Sequence, residues 1–334
     1  MTRRFFKWTG RAVGAGLLAL VLLNLFCVFY YNVPVHYTNP DGATEYKWET
    51  RRFYSRGTEG FAMGRTNNDG FNNLRDYTPG EAVDILLMGS SHMEGFNVAR
   101  DENAAALLNE RFGGERYVYN IGTAGHTLLY CVKHLDRALS VYAPSDRVVL
   151  ETMSLDFAPG DMDAVVGGTY PDIPSHTGGL ITMLQKLPYL RLCYTKYIKN
   201  GELFSGMADG QYEEGAAFSG DYAASLEGLL DKLARESRAH GVRALVVFSP
   251  PVLIAPDGAA YTETDPEKLA LFTRLCEEKG IEFLDLTEVY LEAYDRHVLP
   301  FGFSNTAPLV GHLNRQGHRL FADAVATRIA EREG

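Results

Sequence analysis

Apolar residues run without a charge from Ala12 to about Tyr31, behind a flank containing Arg3, Arg4, Lys7 and Arg11. About 20 helical residues at ~1.5 Å rise span a ~30 Å hydrocarbon core. The pattern therefore predicts a basic flank over residues 1–11 and a transmembrane helix over 12–33. Basic residues on its N-terminal side predict a single-pass protein with a cytoplasmic N-terminus and an extracytoplasmic remainder. A cleaved signal peptide is the competing reading. The run ends in Leu25-Phe26-Cys27-Val28-Phe29-Tyr30-Tyr31, without the small residues of a cleavage site, which favours an uncleaved anchor.

Residues 34–80 are polar and rich in turn formers, including Asn39-Pro40-Asp41-Gly42 and Asn67-Asn68-Asp69-Gly70, and read as a stalk and lead-in. The pattern then changes. Short apolar runs at 83–88, 117–121, 147–151, 244–248 and 281–285 predict buried strands, and amphipathic stretches at 102–112, 127–141, 222–240, 265–279 and 315–331 predict helices. Strands alternating with helices predict one α/β domain over 81–334, a three-layer α/β/α arrangement around a mostly parallel five-stranded sheet. Residues 157–217, rich in Gly, Pro and Tyr, interrupt the alternation as an insertion. Its Tyr170, Tyr189, Tyr194, Tyr197 and Tyr212 are candidates to shape a cleft.

Composition narrows the functions. The chain has 334 residues, 46% hydrophobic and 22% charged, with a net charge of −10. That balance, with no basic block beyond the first eleven residues, argues against a nucleic-acid partner. The four cysteines, Cys27, Cys131, Cys193 and Cys276, have no zinc spacing and read as buried thiols. No HExxH motif occurs, so neither a metal nor another cofactor is expected.

Ligands of parallel sheets bind beyond the carboxyl ends of the strands, which directs attention to the segments that follow them. After the first strand comes Gly89-Ser90-Ser91-His92-Met93-Glu94-Gly95, where a serine hydroxyl becomes a nucleophile if a base takes its proton. After the second comes Asn120-Ile121-Gly122-Thr123-Ala124-Gly125-His126, whose glycines let backbone N–H groups approach a ligand. Before the last helix comes Gly311-His312-Leu313-Asn314, with Asn314 suited to cap the helix and His312 free to act as general base. A turn, a loop and a surface histidine are the plainer readings of each segment alone.

Together these segments resemble the SGNH or GDSL hydrolase superfamily over residues 82–330, and Arg65-Thr66-Asn67-Asn68-Asp69-Gly70-Phe71 is similar to a segment of its membrane-anchored bacterial envelope members. The resemblance implies the flavodoxin-like fold of that superfamily, Ser91 as nucleophile, His312 as base, and the N–H groups of Ser91 and Gly125 as oxyanion donors. It also shows departures. Ser90 stands for the Asp of Gly-Asp-Ser, Leu155-Asp156 for the Asn-Asp of the third block, and Leu309 for the Asp three residues before the histidine. Thr152 or Ser154 is then expected to replace the missing oxyanion donor. A backbone carbonyl, Glu151 or His126 is expected to orient His312.

The function so implied is a serine-dependent esterase or O-acyltransferase acting on acyl groups, acetyl among them, of an envelope glycan. A membrane-bound acyltransferase is a fitting partner. The alternative is a catalytically inactive binding or assembly protein that keeps the fold. An α/β-hydrolase fits less well, because Met93 occupies the second glycine position of G-x-S-x-G.

Overall fold

The apolar run forms most of one helix, α1 (Thr2–Tyr30), in a computed structural model that describes residues 2–34, 36–39, 42–172, 186–199 and 221–332. The span Phe6–Tyr30 is long and apolar enough to cross a membrane, with a mean hydropathy of 2.5 in its most apolar window and 6% of that window buried. The chain leaves the helix directly into β1 (Tyr31–Asn32). This strand pairs antiparallel with β2 (Phe53–Arg56), which pairs in turn with β3 (Ala62–Arg65).

Five strands form the main sheet: β4 (Ile85–Met88), β5 (Val118–Asn120), β6 (Arg147–Thr152), β7 (Arg243–Phe248) and β8 (Glu282–Asp285). Their spatial order is β8-β7-β6-β4-β5, every pair parallel. This is the doubly wound order in which the connections reverse direction between the first and third strands. The helices α2 (Ser91–Glu94), α3 (Ala104–Arg111), α4 (Leu128–Tyr142), α5 (Tyr222–Ala239), α6 (Pro266–Lys279) and α7 (Arg315–Glu331) connect or follow the strands. Alternate strand residues face opposite layers, as the period of two requires. Leu86, Met88, Val148, Leu150 and Val246 pack against Leu135 of α4, Leu229 of α5 and Phe272 of α6. Ile85, Leu87, Val149, Leu245 and Val247 pack against Leu108 of α3 and Phe321 of α7. The predicted elements and these agree within one or two residues at their ends. A further helix, Thr287–Asp295, lies between β8 and α7.

The segment expected to be a stalk is instead packed on the domain. Its turn-forming residues bond outward as well as locally. The Asn73 amide donates to the Asn120 carbonyl (2.8 Å) and accepts from the Asn120 N–H (2.9 Å), so one side chain caps the edge strand β5 where a sixth strand would pair. Asp69 accepts from the hydroxyls of Tyr119 (3.2 Å) and Tyr142 (2.6 Å). Trp48, Tyr54 and Phe71 are buried. Within the insertion, Pro159–Gly167 is helical and Tyr170 packs edge-on against Tyr130. Pro188–Cys193 forms a short helix beside α1, with the Tyr189 N–H donating to Asn24 Oδ1 (3.2 Å). Tyr212 lies outside the described residues. Cys27, Cys131 and Cys276 are buried free thiols, while Cys193 is half-buried.

Candidate active site

Ser91 opens the single turn α2, one residue past the Ser90 N-cap, whose hydroxyl accepts from the His92 N–H (3.2 Å). The turn ends at Gly95, in the left-handed region at φ 65°. It sits this low over the sheet because two strand-end glycines leave room. A Cβ on Gly89 would lie 2.7 Å from Met93 Cγ and Glu151 Oε2, and one on Gly122 would lie 2.6 Å from Met93 Cβ. The Ser91 hydroxyl is thus presented beyond β4, beside the end of β6, at the reversal point of the sheet.

His312 arrives from the other end of the chain, 221 residues away, and its Nε2 lies 2.9 Å from Ser91 Oγ. The loop is fixed from both sides: Leu313 bridges to Phe301, the Gly302 N–H donates to the His312 carbonyl (3.1 Å), and Asn314 caps α7. On the far side of the ring, Nδ1 lies 2.8 Å from both carboxylate oxygens of Glu59, and the His312 backbone N–H donates to Glu59 Oε1 (2.6 Å). A carboxylate acceptor there places the proton on Nδ1 and leaves Nε2 to take the serine proton. Burial pushes Glu59 up, but the bonds from His312 and the charge of Arg56 outweigh it and hold the carboxyl below its ordinary value. Gly311 makes the approach possible, since a Cβ there would lie 2.2 Å from Glu59 Oε1.

Ser91, His312 and Glu59 therefore form one chain of hydrogen bonds, and its third member is not where the sequence pointed. Leu309 is buried in the apolar cluster under α7, 7% exposed. Glu151 is fully buried and does not reach the imidazole. Its Oε2 accepts the Ser90 N–H (2.9 Å), and its Oε1 lies 3.9 Å from His92 Nδ1. Burial, offset by the bonds from Ser90, pushes its carboxyl up to about 7. Glu151 thus holds the turn that carries Ser91 rather than the His312 ring. His126 is also buried, stacked on Tyr130 and His134 rather than on His312, and burial with the nearby His134 and Lys133 lowers it to about 3. Thr152 donates its hydroxyl proton to the Ser154 carbonyl (2.7 Å) and so has none left for an oxyanion. Ser154 is exposed and accepts from the Asp156 N–H (2.9 Å).

Esterases are among the solved structures to which the chain is similar. The chain is similar to the aryl esterase of M. smegmatis, at 15% identity and a TM-score of 0.40, covering 75% of this chain and 99% of that one. It is similar to the psychrotrophic esterase EstA of a Pseudoalteromonas species, at 14% identity and a TM-score of 0.39, covering 74% and 97%. It is similar to a carbohydrate acetylesterase of Sinorhizobium meliloti, at 14% identity and a TM-score of 0.39, covering 75% and 99%. No family model matches the chain, and no curated protein matches it. The chemistry of the site rests on its own side chains.

Two further features shape that chemistry. Gly125 takes φ 82° in a loop held by Glu94, whose Oε1 accepts from the Ala124 N–H (3.0 Å) and from Trp48 Nε1 (2.7 Å). His92 and His318, both buried beside His312, are kept neutral: burial lowers His92 well below its ordinary value and His318 to about 3. A positive charge on His312 would then meet no imidazolium at His92 or His318. A groove of about 650 Å³, walled in part by Phe61, Val98, Phe301, Phe303, Asn314 and Arg315, runs beside the His312 loop. Among the described residues no three His, Cys, Asp or Glu side chains are grouped to hold a metal ion.

Proposed function

We propose that this chain is a membrane-anchored serine esterase or O-acyltransferase of the SGNH/GDSL type, acting on acyl esters of envelope glycans. The observation that carries the reading is the pair of contacts on one imidazole: 2.9 Å to a strand-end serine and 2.8 Å to a carboxylate. Ser91 Oγ attacks the acyl carbonyl carbon as its proton passes to His312 Nε2. Glu59 stabilises the imidazolium so formed. The N–H groups of Ser91 and Gly125 receive the oxyanion. Collapse breaks the bond to the alcohol oxygen, which leaves with the proton from His312, and the acyl group stays on Ser91. Water or a sugar hydroxyl then attacks the acyl carbon as His312 takes its proton. The bond to Ser91 Oγ breaks, Ser91 regains the proton from His312, and the product is a free acid for an esterase or a new sugar ester for a transferase. A membrane-bound acyltransferase that hands over the acyl group is the partner this reading accommodates. The basic flank of α1 supports a catalytic domain on the extracytoplasmic side.

The test uses the full chain in lipid nanodiscs with 4-nitrophenyl acetate and a fluorophosphonate probe. Turnover and labelling are expected, and Ser91→Ala loses both. A folded protein that neither turns over the ester nor takes the probe would sink the enzymatic reading and leave a binding or assembly role.

A further inference from the structure

The anchor of this protein is not a leash. A helix joined to a catalytic domain by a stalk lets the site range over a polymer tens of ångströms from the bilayer. Here the outer end of α1 is built into the domain twice over. Ser55 Oγ donates to the Val28 carbonyl in the last turn of α1 (3.0 Å) and accepts from the Asn32 N–H (3.1 Å). The Gly57 N–H donates to the Tyr30 carbonyl (2.6 Å), at an approach so close that a Cβ would lie 2.6 Å from the Tyr30 ring. Glu59 follows two residues later. Asn305 clamps the intervening loop, donating to the carbonyls of Gly57 (2.8 Å) and Gly60 (3.1 Å) and accepting from the Gly60 N–H (2.9 Å). The second attachment lies on the nucleophile side. Tyr31 and Val33, just past the helix, are buried with Trp48, Tyr54 and Phe96. Phe96 lies two residues beyond α2, and Trp48 bonds the last residue of that turn, Glu94.

Two residues of chain reach at most ~7 Å, so the path from the end of α1 through Glu59 and His312 to Ser91 Oγ is about 20 Å at full stretch. The headgroup layer adds only ~5–8 Å beyond the hydrocarbon edge. The domain also reaches down beside the helix. The Tyr189 N–H bonds Asn24, six residues inside the end of α1 and so ~9 Å along its axis.

From this rigid double attachment we infer that the active site is held at the bilayer surface and takes acyl esters presented there, as on a lipid-linked saccharide. The inference rests on the catalytic reading above for the identity of the ester and on the geometry of the clasp for its place.

Two arms test it in nanodiscs with the full chain. In the first, Val310→Cys, exposed and two residues from His312, carries a donor dye in a Cys193→Ser background, with short-range acceptor dyes on the lipid headgroups. The control dye sits at Glu115→Cys, exposed at the opposite end of the sheet. Clearly greater energy transfer is expected from position 310, and equal or greater transfer from 115 would overturn the placement. This arm needs no catalysis, so it stands apart from any failure of the serine chemistry. In the second, umbelliferyl acetate is tethered to a lipid by a linker of about 15 Å or about 80 Å, lengths set by the path estimated above. At equal surface density the short tether is expected to be cleaved several-fold faster, by raised effective concentration at the site. Equal cleavage, or faster cleavage on the long tether, would overturn the inference. Free umbelliferyl acetate reports separately whether Ser91 turns over esters at all.

Discussion

Glu59→Gln separates the charge of the third relay member from its shape. The carboxylate makes two kinds of contact, one with the backbone N–H of His312 and one with its ring. Because Oε1 serves both, a glutamine carbonyl in that place keeps those two acceptor contacts, while the amide nitrogen replaces the second ring contact at Oε2 and the negative charge is lost. The charge matters when His312 becomes an imidazolium. With contacts of 2.8 Å the charge centres lie about 4 Å apart, worth ~4 kcal/mol at an effective dielectric of about 20. Glu59 and His312 are 23% and 30% exposed, so water screens part of this. Since ~1.36 kcal/mol is a factor of ten, kcat should fall by about 10²–10³. KM should change little, because the lost stabilisation belongs to the transition state. The rate of fluorophosphonate labelling should fall with kcat, and the unfolding midpoint should stay near that of the native chain. Glu59→Asp restores the charge but withdraws it by one methylene, ~1.5 Å, and should recover part of the loss. Steady-state kinetics and single-turnover labelling on purified variants make the comparison. If Glu59→Gln keeps more than about a third of wild-type kcat while Ser91→Ala is at background, the charge is not stabilising the imidazolium. Glu59 would then serve only to pin the loop.

Two other outcomes follow from groups around the site. Glu151 carries a carboxyl raised to about 7 from 4.5, so the folded chain holds that proton more tightly than the unfolded one. The stability it supports is full below pH 4.5 and is lost as pH rises through about 7, a change of about 3 kcal/mol. Glu151→Gln should flatten the fall in unfolding midpoint between pH 5 and 8, and an unchanged slope in thermal scans would count against a proton on Glu151. Asn305→Ala removes three hydrogen bonds from the loop that carries Glu59, each worth ~0.5–1.5 kcal/mol. It should lower kcat about tenfold through misplacement of the carboxylate, and this should show as a kcat loss at near-constant KM in the same ester assay.

The alternation of strands and helices from residue 83 onward is legible because each buried strand is a run of apolar residues closed by a glycine or polar residue, and each helix shows one apolar stripe. Ser91 and His312 are legible for a related reason: both stand at element boundaries, which in a parallel sheet converge on one edge. Glu151 misleads because a charge at a strand end reads as solvated. Yet β6 lies in the middle of the sheet and is buried along all its residues, so the carboxyl can only face protein. The lead-in misleads because its backbone is satisfied by other means than long ladders. Strands of two to four residues and the amides of Asn67 and Asn68 do that work, and such bonding has no period to detect.

Glu59 was hidden more deeply, and the reason is geometric. An imidazole that must abstract a proton at Nε2 needs an acceptor about 2.8 Å from Nδ1 and is indifferent to which part of the chain supplies it. When the acceptor lies three residues before the histidine, spacing reveals it. In this chain that position is Leu309, held at φ 59° with its side chain committed to the apolar layer under α7, so a carboxylate there would be buried without a partner. The opening left at Nδ1 is kept clear by Gly311, and Glu59 enters it from the loop that follows the strand clasped to the end of α1. Glu59 is bracketed by Gly57 and Gly60, both set against other parts of the fold so closely that a Cβ would clash. A glycine-framed acid between two short alternating strands is the one local trace that Glu59 leaves in the sequence. It follows that the acid and the C-terminal end of α1 are one structural unit: whatever displaces that end from the domain also displaces the charge behind His312.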